Sequence, residues 1–311
     1  MKEKNNLTGI YILLMLSMFF WGISFVFTKV VLQYMQPLTI IFFRLLISIP
    51  FIWMIVLLFY RKHKIRFKDI KMIVLLALFE PVLYFIGETF GLQRVSPTVS
   101  ALIISTIPVF TALSVFFVYK VKLLKINVLG IALSFLGVMF MVIGKNMSFL
   151  VDTTGLWLLF LSVFSAVCYS LILSKISTYI HPAWIVAIQN TSALFILFPL
   201  AMLFPSSINF NVEPLFSTIS PQVELWGSLC ILALFCSTLA FIFYTVAVKH
   251  IGIIRSNMFT NLIPVITAIV SFLLLNEVMT INKLFGMLVI ITGVIFSQWK
   301  KTQGNGNTIK E

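Results

Sequence analysis

Apolar residues fill most of the chain in long stretches, which short polar clusters interrupt at regular intervals. A helix that crosses the hydrocarbon core of a bilayer needs about 20 predominantly apolar residues, and most of these stretches reach that length. The pattern predicts an all-α polytopic membrane protein with ten transmembrane helices. The predicted spans cover residues 10–32, 38–59, 72–92, 97–118, 125–143, 155–177, 182–204, 224–248, 254–275 and 282–299.

Basic residues cluster on one side of this predicted topology. The connection between the second and third spans is the densest cluster and contains Arg61, Lys62, Lys64, Arg66, Lys68 and Lys71. Because cytoplasmic loops carry an excess of Lys and Arg, this connection is predicted to be cytoplasmic. Both termini then lie on the same side, and we expect a multi-pass protein of the cell membrane. The polar tail, residues 301–311, is predicted to be disordered and cytoplasmic.

Composition excludes several classes of protein. Of the 311 residues, 60% are hydrophobic and 10% are charged, which is too little polar surface for a soluble domain of this size. The net charge of +13 would favour nucleic-acid binding in a soluble protein. Here the positive-inside bias explains it, so we expect the lipid bilayer as the surrounding and no nucleic-acid partner. The three histidines are far apart along the chain, and neither a metal site nor a cofactor is predicted.

The two halves of the chain share a motif. Residues 107–112 read Ile-Pro-Val-Phe-Thr-Ala, and residues 263–268 read Ile-Pro-Val-Ile-Thr-Ala, 156 residues later. The ten predicted spans therefore divide into two units of five spans. Because five is an odd number of membrane crossings, the second unit must enter the membrane from the opposite side. Inverted repeats of this kind are typical of secondary transporters. The predicted units cover residues 8–143 and 155–300.

Several motifs resemble the drug/metabolite transporter superfamily and, within it, EamA-type transporters. They are Trp21-Gly22-Ile23-Ser24-Phe25 in the first span, Arg44 early in the second, the two proline motifs, and Asn276-Glu277 before the last span. The resemblance implies two five-helix units, export of amino acids or other small metabolites, and exchange against protons. One departure is Lys120-Val121-Lys122, where the acidic residue usual after the fourth span is missing, so that only Glu277 keeps it.

The third predicted span contains two glutamates at bilayer depth. Its polar and small residues share one helical face, as a cavity lining requires: Glu80, Tyr84, Gly87, Glu88 and Gly91. Since a charge inside the membrane is costly, such carboxylates usually face a cavity, a partner or a pathway. They could take up protons for coupling or bind the ammonium group of a solute. The structural alternative is that Glu88 pairs with Arg94 and that Glu80 hydrogen-bonds around Pro81.

Prolines interrupt the fourth and ninth spans. Pro108 and Pro264 each remove a backbone donor, which predicts helix breaks of the kind that protein or cavity water can satisfy. Ser105, Asn257 and Asn261 lie on the same faces. The two asparagines could bind a carboxylate or amide of a solute, or they could hydrogen-bond between helices.

Aromatic residues are predicted to contribute to the same site. Trp21 and Tyr169 could stack on a solute or plug its pathway, and packing is the alternative for both. Tyr244 is the repeat counterpart of Glu88 and would add aromatic surface from the second half. Arg44 is placed towards the outer side, where it could attract or pair with carboxylates or extend to the interface.

Small residues on the fifth and tenth spans form faces that permit close helix packing: Gly130, Ser134, Gly137, Gly286 and Gly293. We assign these two spans to a scaffold or to self-association, which leaves a monomer and a homodimer both open.

The sequence predicts a secondary active transporter that exports amino acids or similar small polar metabolites by alternating access, with protons as the expected coupling ion. One alternative is a drug or organic-cation exporter, which the intramembrane glutamates and the many phenylalanines favour. Another is a membrane-embedded enzyme or a lipid-handling protein. An enzyme is not expected, because the sequence contains no nucleotide-binding glycine loop, metal motif or nucleophile elbow.

Overall fold

A computed structural model describes residues 2–61, 65–119, 124–142, 152–204, 208–216 and 219–297. Every regular element in these ranges is helical. The α-helices are α1 (Lys2–Val31), α2 (Pro37–Phe59), α3 (Phe67–Ala77), α4 (Tyr84–Arg94), α5 (Pro97–Ile104), α6 (Ile107–Tyr119), α7 (Lys125–Val142), α8 (Thr153–Ile176), α9 (Pro182–Leu203), α10 (Pro221–Cys230), α11 (Ala240–Ile251), α12 (Ile253–Met258), α13 (Leu262–Leu275) and α14 (Ile281–Ser297).

Seven helical stretches are long and apolar enough to cross a membrane: Leu7–Val31, Pro37–Phe59, Phe67–Arg94, Thr153–Ile176, Pro182–Leu203, Pro221–Ile251 and Arg255–Leu275. The other three predicted spans correspond to shorter apolar helices, Pro97–Thr111, Lys125–Val138 and Ile281–Ser297. The prediction of an all-helical membrane protein is therefore confirmed. The predicted tail, residues 301–311, and the departure at residues 120–122 lie outside the described residues.

Proline starts several of the helices. Pro37, Pro97, Pro182 and Pro221 occupy the first turn of α2, α5, α9 and α10. A proline is tolerated there because the first amide groups of a helix have no partner within it. Serine supplies caps before two of these prolines, since the Ser96 and Ser220 hydroxyls accept hydrogen bonds from the backbone N–H groups of Val99 and Val223.

Two of the long membrane helices contain π-helical turns. One turn, Leu78–Leu83, joins α3 to α4, and the other, Ile231–Leu239, joins α10 to α11. Within the first, Glu80 has extended backbone angles, φ −142° and ψ 120°. Pro81 explains this local conformation, because a proline disfavours helical angles in the residue before it.

The two short helix pairs that carry the proline motifs are also interrupted. The helix α5 ends at Ile104, and α6 begins at Ile107, one residue before Pro108. A 3₁₀ turn, Phe259–Asn261, separates α12 from α13, which carries Pro264 at its third residue. In each half the irregular backbone therefore ends two or three residues before the proline.

The helices α7 and α14 pack with their backbones close together. A Cβ atom built on Gly130 would lie 2.2 Å from Ser297 N, and one built on Gly293 would lie 2.5 Å from Ser134 Oγ. Asn127 adds hydrogen bonds from its Nδ2 to the carbonyl oxygens of Phe296 (3.2 Å) and Ser297 (3.0 Å). Glycine is required where two helices approach this closely.

Glycines also join α4 to α8. A Cβ atom built on Gly87 would lie 2.4 Å from Leu158 O, and one on Gly91 would lie 2.8 Å from Leu159 Cγ. The interpretation of these two glycines as part of a cavity lining is therefore wrong. They share a helical face with Glu88, but the neighbouring helix covers their part of that face.

Candidate solute-binding cavity

A cavity inside the helical bundle is lined by three charged side chains, Arg44, Glu80 and Glu88. Helices from both halves of the chain supply the rest of the lining, and its polar and aromatic members are Trp21, Ser24, Phe25, Tyr84, Phe85, Tyr169, Ser170, Phe241, Tyr244, Asn257 and Thr260. The cavity has a volume of about 40 Å³. That volume holds a few waters.

Arg44 is the best-anchored charge of the cavity. Its side chain is 2% exposed, and its Nε donates a hydrogen bond to Ser237 Oγ at 2.5 Å. The guanidinium carbon lies 4.0 Å from the centre of the Phe85 ring, and Nη1 lies 3.9 Å from Glu88 Oε2. Of the two roles considered for Arg44, pairing with a carboxylate is the one that the structure shows.

The structural pair considered for Glu88 is not formed. Arg94 Nη1 lies instead 3.5 Å from Asp152 Oδ2. Asp152 caps the N-terminus of α8, because its Oδ1 accepts a hydrogen bond from the Gly155 backbone N–H. Glu88 faces Arg44, and its Oε2 accepts no hydrogen bond from any residue that the structure describes. Glu88 and Arg44 therefore form an ion pair deep in the bundle, without a direct hydrogen bond between them.

Glu80 lines the cavity from the π-helical turn. Its side chain is buried, with 7% of the residue exposed. The interrupted backbone at this position directs the start of α4, which carries Tyr84 and Glu88 into the same lining. The kink and the carboxylates thus belong to one local structure.

Asn257 makes hydrogen bonds between helices, which is one of the two roles predicted for it. The Tyr244 hydroxyl donates a hydrogen bond to Asn257 Oδ1, and Asn257 Nδ2 donates to Thr111 Oγ1 at 3.5 Å. These bonds connect α11, α12 and α6 beside the cavity. Both Asn257 and Tyr244 also line it.

Ser105 and Asn261, the other two polar candidates near the proline motifs, are not among the lining residues identified in the described part of the chain. The Ser105 hydroxyl donates to Leu102 O at 2.7 Å, within the end of its own helix. Asn261 Oδ1 is buried and lacks a hydrogen-bond partner among the described residues. Local hydrogen bonding is a common role for serine at a helix end, and it explains the position of Ser105.

Aromatic rings form one wall of the cavity. The Trp21 ring centre lies 5.0 Å from that of Tyr244 and 5.2 Å from that of Phe241. Tyr169 meets Phe241 edge to face at 6.3 Å. Packing, the alternative considered for Trp21 and Tyr169, is therefore observed for both, and both rings also line the cavity.

Arg44, Ser170 and Thr260 line the cavity in addition to the predicted residues. Arg44 follows Pro37, the first residue of α2, by seven residues, which is about 10 Å along a helix, and this distance from the helix end is the sequence signal for its burial. Ser170 and Thr260 adjoin the predicted residues Tyr169 and Asn261, but the sequence offers no sign that they face the cavity.

A polar network lies outside the cavity at one end of the bundle. Glu277, between α13 and α14, accepts hydrogen bonds from Thr98 Oγ1 (2.8 Å), Ser271 Oγ (2.5 Å) and Lys283 Nζ (2.9 Å). Thr98 is six residues from the lining residue Ile104, a distance of about 9 Å along α5. The network therefore joins the two halves of the chain next to the cavity.

Comparison with known proteins identifies the family. The sequence model of the EamA-like transporter family matches residues 8–143 and, separately, residues 153–299. The protein named Uncharacterized transporter YcxC, from Bacillus subtilis (strain 168), is 27% identical, and the alignment covers 99% of each chain. Uncharacterized transporter YyaM from the same organism is 26% identical over 92% of each chain. A transporter from Archaeoglobus fulgidus is 22% identical over 91% of this chain and 96% of its own.

A solved crystal structure has the same fold. It matches with a TM-score of 0.66 over 93% of this chain and 98% of its own, at 14% sequence identity. The family matches confirm the resemblance that the motifs indicate. They cover both halves of the sequence, so the chain belongs to the EamA-like transporter family, which indicates a membrane transporter rather than an enzyme.

Proposed function

We propose that this protein is a secondary active transporter that exports amino acids or similar small polar metabolites by alternating access, in exchange for protons. The observation that carries the proposal is the buried cavity with Arg44, Glu80 and Glu88 in its lining. Charged side chains at this depth are costly, and in membrane proteins they usually mark a pathway for solutes or ions.

The architecture that we propose has ten spans in two inverted units, residues 8–143 and 155–300. The shared proline motif, the helix interruption before each proline, and a π-helical turn in the third and eighth spans support it. The cavity receives residues from both units, as expected for a site where repeats meet. The basic connection after α2 supports cytoplasmic termini in the cell membrane.

Alternating access agrees with the size of the cavity. A site for a small molecule usually offers about 300 Å³ or more, whereas this cavity offers about 40 Å³. Helices must therefore separate before a solute enters. The network around Glu277 joins the two halves at one end of the bundle, and we propose that this end opens when the hydrogen bonds of Glu277 break.

For proton coupling we propose Glu88 first and Glu80 second. Both are buried carboxylates in the cavity lining, and a buried carboxylate can exchange protons when its surroundings change. Tyr244 and Asn257, which line the cavity, would shape the site from the second half.

The test is solute flux in proteoliposomes under an imposed pH gradient. Wild-type protein should accumulate or release an amino-acid-like solute in response to the gradient. Glu88→Gln should insert normally and lose the response, whereas Glu213→Gln, an equivalent change at an exposed position, should keep it. A normal response in Glu88→Gln rejects its coupling role, and absence of flux in the wild type for every solute rejects transport.

A further inference from the structure

The described lining of the cavity contains more acidic than basic side chains. One guanidinium, Arg44, faces two carboxylates, Glu80 and Glu88, and all three residues are at most 7% exposed. With every group ionised, the lining residues that the structure describes carry one excess negative charge. Because an uncompensated charge inside a membrane protein is costly, the cavity requires one further positive charge.

Arg44 cannot supply this charge, because the surrounding structure already commits it. Ser237, Phe85 and Glu88 fix the guanidinium by a hydrogen bond, a ring contact and an ion pair. An arginine held on several sides keeps its orientation. Glu88 is thus the carboxylate that Arg44 neutralises, and Glu80 is the one that remains.

Glu80 lies where a cation can reach it. It is on the interrupted turn before α4 and lines the cavity, rather than a helix–helix contact. The charged and titratable groups that interact with it come from four helices, and they are Arg44 of α2, Tyr84 and Glu88 of α4, Tyr169 of α8 and Tyr244 of α11. Arginine is the cation in this set, and it is paired with Glu88.

The aromatic wall independently favours a cation. The ring centres of Phe241 and Tyr244 lie 5.2 Å and 5.0 Å from that of Trp21, and Tyr169 joins them through Phe241. Ring faces attract ammonium groups, and clusters of aromatic rings are a known way to bind alkylated amines. Because Tyr169 and Trp21 of the same wall also carry hydrogen-bond donors, the exclusion of a carboxylate rests on the charge balance alone.

We infer that the solute carries one positive charge and no carboxylate, with Glu80 as its counter-ion. This inference rests on the proposed transport function and narrows it to amines within the range of small polar metabolites. An amine neutralises the cavity. An amino acid brings its own carboxylate and leaves the excess negative charge in place. A proton on Glu80 also neutralises the cavity, so amine and proton compete for Glu80, the second of the two carboxylates proposed above for proton coupling.

The experiment compares matched pairs that differ only by a carboxylate: ethylamine with alanine, isoamylamine with leucine, and phenylethylamine with phenylalanine. Binding to purified wild-type protein is measured by thermal shift and calorimetry, and flux is measured separately in proteoliposomes. At least one amine should bind about tenfold or more tightly than its amino acid, because the amino acid also buries a carboxylate that has no partner of opposite charge. Its apparent Kd should rise as the pH falls, since protons then occupy Glu80.

Substitutions of Glu80 test whether it is the counter-ion of the bound amine. Glu80→Gln should lose amine binding by about tenfold or more, and Glu213→Gln, at an exposed position, should bind as the wild type does. Glu80→Asp, which keeps the charge, should retain part of the affinity and shows that Glu80→Gln is not simply misfolded. Amino acids that bind as tightly as amines, binding of neither class, or normal amine binding to Glu80→Gln overturns the inference. Amine binding without flux supports the inference and rejects the transport function instead.

Discussion

Thr98, in the first turn of α5, donates a hydrogen bond from Oγ1 to Glu277 Oε2 at 2.8 Å, across 179 residues of sequence. Glu277 also binds Lys283 of α14 and Ser271 of α13. One carboxylate thus holds the ends of three helices. Glu277 belongs to the second half of the chain, and the corresponding position in the first half has no acidic residue. The connection that Glu277 makes therefore has no counterpart in the other repeat.

Glu277→Gln should destabilise the protein in a pH-dependent way. Burial by itself raises the pKa of Glu277, but hydrogen bonds from Ser271, Ser96, Lys283 and Thr98 outweigh burial and hold the pKa below its ordinary value of 4.5. A lowered pKa means that the ionised carboxylate stabilises the fold above pH 4.5 and that this contribution is lost as the pH falls through the folded-state pKa.

Thermal unfolding of both proteins in detergent checks this prediction. The gap in Tm between wild type and Glu277→Gln should be largest near pH 7 and should narrow as the pH falls below the ordinary pKa. Glu213→Gln serves as the control and should show little gap at any pH. A gap for Glu277→Gln that stays constant from neutral to acidic pH contradicts the assigned hydrogen bonds.

Arg44 and Glu88 should show strong coupling in a double-mutant cycle. Arg44→Met or Glu88→Gln alone leaves a buried charge without its partner, which costs about 3–5 kcal/mol of unfolding free energy. The double variant removes both charges, so it should be less destabilised than the sum of the single variants. Unfolding in denaturant measures each free energy. Additive effects would show that the two side chains do not interact in the folded protein.

Tyr244→Phe should destabilise the protein by about 1 kcal/mol, because Asn257 Oδ1 loses its donor in a buried site. The same substitution in an Asn257→Ala background should cost less, since the acceptor is then absent. Tyr179→Phe, at a side chain that is 47% exposed, is the matched control and should change little. Equal costs for Tyr244→Phe in both backgrounds would rule out the hydrogen bond as the cause.

Gly130→Ala should destabilise the contact between α7 and α14 by about 1–3 kcal/mol, because the added methyl group overpacks a site 2.2 Å from Ser297 N. Gly227→Ala in α10 is the control, since a Cβ atom there meets nothing within 4 Å. Thermal unfolding should show a lower Tm for Gly130→Ala only. A Tm that is unchanged or equally lowered in both variants contradicts the close packing.

The sequence was sufficient to predict an all-helical chain, because helix formation depends on local composition, but it did not predict the π-helical turns Leu78–Leu83 and Ile231–Leu239. Length and hydropathy predict the helices, and proline predicts several of their starts. Partner choice is different, since it depends on which faces meet. The sequence does not show whether Arg44 or Arg94 is the partner of Glu88, because both arginines are predicted to lie near the same end of the third span. The structure separates them by placing Asp152 beside Arg94.

The candidate site shows the same limit. Carboxylates, tyrosines and tryptophan at bilayer depth are conspicuous in a chain that is 10% charged, so Glu80, Tyr84, Glu88 and Trp21 could be selected by residue type. Helical periodicity also selected Gly87, which packs against α8. A helix face is broader than a cavity, and only the position of the neighbouring helix decides which part of that face stays open.

The contact between α7 and α14 has a consequence for biosynthesis. Asn127 donates hydrogen bonds to carbonyl groups at the end of α14, and the ribosome makes α14 after the other described helices. These bonds and the close approach at Gly130 can therefore form only after translation has passed α14. The helix α7 thus acquires this neighbour later than any contact within the first half of the chain.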